Sequence, residues 1–162
     1  MDIINWLMEG EVKEVSSYAS ESWFKEENAP ADVPDRCTDG CPVSDECHFY
    51  APRMYFRDNP GFSTSVISVE QTKEAKMEAL RNGPFGRCVY KCDNDVVDEQ
   101  VINFEFDNGV TVAFTMNGYT SACDRRVKIM GTEGELRGHF GKNEIKIDEF
   151  LTGNTETYDI ST

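Results

Sequence analysis

The chain has no stretch approaching the roughly 20 consecutive apolar residues of a membrane-spanning helix. Its first residues, Met1-Asp2-Ile3-Ile4-Asn5-Trp6, carry neither the basic region nor the extended apolar core of a secretory leader. Both absences predict a cytoplasmic protein with no membrane partner. Basic residues are also scarce: 16 Lys and Arg stand against 30 Asp and Glu, a net charge of −14. Such a field repels phosphate backbones, and the densest basic group, Arg125, Arg126 and Lys128, is too small to offset it, so nucleic acid is excluded as a partner.

Histidine is nearly absent. Only His48 and His139 occur, and neither stands in a pattern that marks a nucleophile and its base. The chain contains no G-x-G-x-x-G, no Walker loop and no H-E-x-x-H, which removes the local nucleotide cradles and the helical zinc-protease site. Asp93 to Glu99 begins like a calcium loop. Val97 at its fifth position, Asp98 at its sixth and Phe104 at its twelfth break that pattern.

Cysteine, by contrast, is concentrated. Cys37, Cys41 and Cys47, three of the six, fall within eleven residues of a polar, proline-bearing segment. Thiolates at this spacing, with Gly40 and Pro42 bending the backbone, suit a tetrahedral ion such as structural zinc if a fourth ligand arrives from elsewhere. Cys92 is the favoured fourth ligand because its Asp- and Asn-rich neighbourhood suits a strand end beside a loop, with Cys88 and His48 as alternatives. Two other readings stand beside the metal: reduced thiols packed as small apolar groups, and disulfides, which a cytoplasmic setting disfavours.

At 162 residues the length fits one domain. Asp2 to Met8 predicts a short apolar helix ending at Gly10, and Val12 to Ala19 a strand. From Pro34 to Pro60 the prolines and cysteines predict an ordered loop with a helical turn at 48–56, a length that calls for a staple. Ser68-Val69-Glu70-Gln71 has capping-box spacing before a helix running to Gly83, with Met77 and Leu80 inward and Lys73, Glu74, Lys76 and Glu78 solvated. Residues 101–116 alternate about an Asp107-Asn108-Gly109 turn and predict a hairpin with one apolar face. Short strands follow at 126–130, 135–140, 144–148 and 155–160. The expected fold is α+β: an open, mostly antiparallel sheet with helices and a Cys-rich loop covering one face.

Four segments then carry a resemblance: D-I-I-N-W-L-M-E-G at 2–10, R-C-T-D-G-C-P at 36–42, G-P-F-G-R-C-V-Y-K-C-D-N-D-V-V-D at 83–98 and I-M-G-T-E-G-E-L at 129–136. Together, and in this order, they resemble the C-terminal domain of the glucose-fructose oxidoreductase and inositol dehydrogenase (Gfo/Idh/MocA) family. The resemblance implies an enzyme whose Rossmann domain binds NAD or NADP, while the C-terminal α/β domain shapes the site for a sugar- or polyol-like small molecule. In that family an H-D-x-D-like motif opens this domain, and Asp2 matches its last acidic position. The motif's histidine and the E-K-P lysine of the Rossmann domain are not in this sequence.

The chain is thus expected to be a single partial C-terminal domain over 1–162, binding no nicotinamide cofactor itself and not competent for catalysis alone. Asp2, Asp95 and Asp98 are its candidate substrate-side residues, and Cys37, Cys41, Cys47 and Cys92 its candidate metal ligands. A homodimer through the open sheet is expected. The alternative is a free-standing, metal-stapled interaction module without chemistry.

Overall fold

The computed structural model describes residues 2–57, 62–121 and 123–161. The chain divides into two compact units, Met1–Gly118 and Tyr119–Thr162. The fold is α+β, and every strand pairing is antiparallel.

The first unit opens with helix α1 (Asp2–Met8) and strand β1 (Val12–Ser20). Strands β2 (Glu99–Phe106) and β3 (Thr111–Asn117) complete a sheet of order β1-β2-β3. Ile102, Phe104 and Phe106 are buried on one face, where Ile4 and Met8 of α1 pack with Val112 and Phe114. The period-2 alternation of β2 and β3 therefore does what it predicts: its apolar set is covered, by a helix whose own apolar residues recur at i and i+4.

The turn between β2 and β3 also anchors the start of the chain. Gly109 adopts φ +84°, a conformation glycine accepts without strain. The Asn108 amide donates to the carbonyl of Met8 at 2.8 Å, and the Asp107 carboxylate accepts the backbone N–H of Glu11 at 3.0 Å. The turn residues thus close the end of α1 and set the entry of β1.

Between β1 and β2 the described residues form three short α-helices, α2 (Ala51–Tyr55), α3 (Phe62–Ser65) and α4 (Lys73–Asn82). Pro52 sits in the first turn of α2, where its missing N–H costs no helical bond. Helix α4 starts later than the capping-box spacing predicts. Thr72 is the N-cap, its Oγ1 accepting the Ala75 N–H at 3.2 Å, while the Gln71 amide donates to the carbonyl of Ser65. Leu80 is inward as expected, at 0 % exposure, but Lys76 shares its face at 8 % and is not solvated. The i, i+4 geometry puts the Lys76 stem over the same apolar surface.

The buried residues of the Cys-rich segment gather away from the sheet core formed by Ile102, Phe104 and Phe106. They pack into two clusters of their own: Cys37, Ala51, Ile67 and Leu80 in one, and Val33, Cys88 and Tyr90 in the other. None of these residues comes from a sheet strand.

In the second unit, β4 (Arg126–Met130), β5 (Gly134–His139), β6 (Glu144–Glu149) and β7 (Thr155–Asp159) form a separate sheet in sequence order. The strands fall within a residue of their predicted spans, but they do not extend the sheet of the β2–β3 hairpin. The register places Val127, Ile129, Leu136, Ile145, Ile147 and Tyr158 on one face. Of these, none is buried, and Tyr158 is 47 % exposed. The opposite face carries Lys128, Glu135, Arg137 and Asp148 as a cross-strand ladder, with Lys128 Nζ 2.7 Å from Glu135 and Arg137 Nε 3.0 Å from the same carboxylate. No helix among the described residues is long and apolar enough to cross a membrane.

Candidate functional site

The three candidate aspartates end in different settings. Asp2 opens α1, and its side chain lies outside the described residues. Asp95 is exposed in the loop before β2. Asp98, only three residues later, is 6 % exposed and turned inward. Its carboxylate accepts the backbone N–H of Ser22 at 3.0 Å, of Trp23 at 2.8 Å and of Phe24 at 3.3 Å, and the Ser22 hydroxyl at 3.2 Å. Successive N–H groups wrapped around one carboxylate satisfy a buried charge that would otherwise be costly.

That anchor has a structural reach. Phe24 meets Phe49 edge-on at 5.0 Å between ring centroids, and Phe49 and Trp23 both meet Tyr90 in the same manner. Asp98 thereby ties the first residues of β2 to the aromatic layer under the cysteines. Nothing in the sequence signalled this partner, because Ser22 to Phe24 lie more than 70 residues away.

Two short extended segments position the cysteines. Arg36 and Arg87 form an isolated antiparallel bridge. Around it, the Cys37 N–H donates to the carbonyl of Gly86 at 2.9 Å, and the Cys88 N–H to that of Asp35 at 2.7 Å. Alternation across such a bridge puts Cys37 and Cys88 on the face opposite Arg36 and Arg87. From Cys37 the chain turns through Gly40, at φ +79°, to Cys41, then through a helical bond from the Cys47 N–H to the Val43 carbonyl at 2.9 Å. All six cysteines are free thiols.

Burial pushes the Cys37 thiol up, the Ala51 N–H directed at it opposes that shift, and negative charge on Cys88, Cys41 or Cys47 adds to it. Cys92 is held differently. Its S–H donates to the Cys88 carbonyl at 3.1 Å, and burial raises its pKa against the opposing charge of Arg87. The expected ligand set Cys37, Cys41, Cys47 and Cys92 is not drawn together: among the described residues, no group of three or more His, Cys, Asp or Glu side chains is arranged around a common metal position. His48, the other alternative, is exposed.

A cluster the sequence did not signal lies in the second unit. Asp124 Oδ1 accepts the backbone N–H groups of Arg125 at 2.7 Å and Gly141 at 2.8 Å. Asp124 Oδ2 is 3.0 Å from His139 Nδ1 and 3.6 Å from Arg126 Nε. The two facing atoms, Asp124 Oδ2 and His139 Nδ1, stand close without an aligned hydrogen-bond partner among the described residues. Burial works to raise the Asp124 pKa, but the Gly141 and Arg125 N–H groups, His139 and Arg126 together outweigh it and hold the carboxyl below its ordinary range. Asp124 thus clamps the approach to β4 onto the 3-10 turn Phe140–Lys142.

Two shallow grooves cross the outer face of the β1-β2-β3 sheet. Both linings are mixed: Glu14, Ser16, Glu105 and Thr111 stand with Val112 and Ala113 in one, and Tyr18, Ser20, Glu99 and Thr115 with Val101 and Met116 in the other.

In comparison with known proteins, no family model matches the chain and no curated protein matches it.

Proposed function

We propose that this chain is the substrate-shaping and self-associating part of an NAD(P)-dependent oxidoreductase of the Gfo/Idh/MocA type, acting on a sugar- or polyol-like small molecule. Nicotinamide binding and hydride transfer belong to a Rossmann domain whose motifs this sequence does not contain. The observation that carries the reading is the division of labour between sheet faces. The outer face of the first sheet carries shallow grooves where the hydroxyls and carboxylates of Ser16, Glu105, Ser20 and Glu99 stand among apolar residues. The second has an apolar face on which Gly138 is buried while the side chains of Val127, Ile129, Leu136, Ile145, Ile147 and Tyr158 all remain partly or largely exposed. A face bearing polar groups serves ligand recognition, and an apolar one serves association with a second copy. On this reading exposed Asp95 stands on the substrate side with Asp2, and Asp98 acts by holding the loop of Ser22 to Phe24.

The test combines two measurements on the purified chain. Titration with NADH and NADPH is expected to give no saturable binding, and sedimentation at micromolar concentrations is expected to give a dimer. Tight nucleotide binding by this chain would overturn the assignment of the cofactor to another domain. A monomer throughout would overturn the self-association.

A further inference from the structure

We infer that Asn108 is a site of self-modification: the folded chain deamidates there through attack by the Gly109 backbone nitrogen, and the carboxylate so formed loosens helix α1 from the first sheet. The inference is independent of the oxidoreductase reading, since it concerns the covalent chemistry of one turn.

The sequence holds three Asn-Gly pairs, Asn82-Gly83, Asn108-Gly109 and Asn117-Gly118. A glycine leaves its own backbone nitrogen unshielded by a side chain, so each pair carries the reactive pattern, and all three asparagines are exposed. The fold separates them. The Gly83 N–H donates to the Ala79 carbonyl at 2.7 Å, and a Cβ on Gly83 would stand 2.6 Å from that same oxygen. The Gly118 N–H donates to the Asp98 carbonyl at 2.7 Å, and a Cβ there would stand 3.2 Å from that oxygen. Both nitrogens are held against backbone, and turning either toward the preceding side chain breaks a short hydrogen bond. Gly109 is freer: beyond its chain neighbours no atom lies within 4 Å of its Cβ position, and its N–H makes a longer bond, 3.1 Å, to the Phe106 carbonyl.

The group under attack is also prepared at Asn108. Its Oδ1 accepts the Val110 N–H at 3.1 Å, a donor placed to stabilise the negative charge that gathers on this oxygen as Cγ is attacked. The amide nitrogen has one neutral acceptor to leave, the Met8 carbonyl at 2.8 Å. The Asn82 amide is held more firmly, by the Glu78 carboxylate at 2.6 Å, a charge-assisted bond.

The step balances without a cofactor. The Gly109 nitrogen gives its proton to hydroxide and bonds to Asn108 Cγ; the bond from Cγ to the amide nitrogen breaks, and ammonia leaves with a proton from water. Water then opens the succinimide ring at either carbonyl, giving aspartate or isoaspartate. One water is consumed and one ammonia released.

The product cannot hold α1 as the amide does. A carboxylate offers no N–H to the Met8 carbonyl, and it adds a charge beside Asp107. These two side chains already crowd the same backbone, since a Cβ on Gly10 would stand 2.8 Å from Asn108 Nδ2 and 2.9 Å from Asp107 Oδ1. Met8 and Ile4 of α1 pack on the core of Ile102, Phe104 and Phe106, so the lost bond is one that ties this cover to the sheet.

The experiment incubates the folded chain, and the same chain in urea, at mildly alkaline pH and maps the three asparagine peptides by mass spectrometry, with isoaspartate identified by fragmentation. In urea all three are expected to react. In the folded chain Asn108 should react at least about tenfold faster than Asn82 or Asn117, the ratio that one additional hydrogen bond to be broken confers. Asn108→Asp, which installs the carboxylate directly, should raise amide exchange of the α1 peptide by about tenfold and leave the β4–β7 peptides unchanged. Should that variant not fold, the deamidated parent, separated from the unmodified chain by its added charge, gives the same comparison. Asn82 or Asn117 reacting first, or all three surviving in the folded chain while reacting in urea, would overturn the site. Unaltered exchange of α1 in the modified chain would overturn the release.

Discussion

Trp23 presents its backbone N–H to Asp98 Oδ2 at 2.8 Å, one of the bonds by which a single buried carboxylate gathers the loop of Ser22 to Phe24. Asp98 is thus a strut between the start of β2 and the aromatic layer of Phe49 and Tyr90. Replacing it by Ala leaves several inward N–H groups without their acceptor, at a cost of about 3 kcal/mol or more. Urea unfolding followed by tryptophan fluorescence measures this. A variant as stable as the parent would return Asp98 to the substrate side.

Gly86 lies where a side chain cannot. A Cβ there would stand 1.7 Å from the carbonyl oxygen of Leu80, which is backbone and cannot rotate away. Gly86→Ala must therefore displace the turn that receives the Cys37 N–H, with an expected loss of about 2 kcal/mol or more. Because that turn holds Cys37 beside Cys88, the variant should also alkylate faster at both cysteines than the parent, and unchanged rates would disprove the link.

Acid should loosen the second unit. The folded pKa of Asp124 is depressed, so its contribution to stability is present above the unfolded carboxyl value of about 3.9 and is lost as pH falls through the folded value. Asp148, held down by Thr155 and Arg137, acts with the same sign. Stability of the second unit, read from amide exchange at Ile129 and Leu136, should therefore decline below about pH 4. Asp124→Asn should flatten that decline without abolishing it, and an unchanged slope would show that the clamp is not ionic.

Much of the architecture was legible because it is periodic. Ile102, Phe104 and Phe106 alternate with polar neighbours over a strand's length, and Asp107-Asn108-Gly109 offers the one residue that accepts φ +84°. Helix α4 was visible from its composition, but its start was not. Thr72 and Ser68 are both competent caps, and which one captures a free N–H depends on how Gln71 is engaged by the preceding turn. The site was less legible. Asp95 and Asp98 belong to one polar run, yet one is exposed and the other buried against a loop that sequence distance conceals.

The sequence by itself determined the element types, the antiparallel pairing of consecutive strands, the acidic surface charge and the concentration of thiols, because each depends on neighbours a few residues apart. Only the tertiary structure decided that the strands form two sheets, that Asp98 and Asp124 are anchors, and that Cys88 comes beside Cys37 while Cys92 turns to a carbonyl. These outcomes rest on contacts across tens of residues, where the energy of a buried hydrogen bond or a packed ring selects among arrangements that local propensity leaves equal.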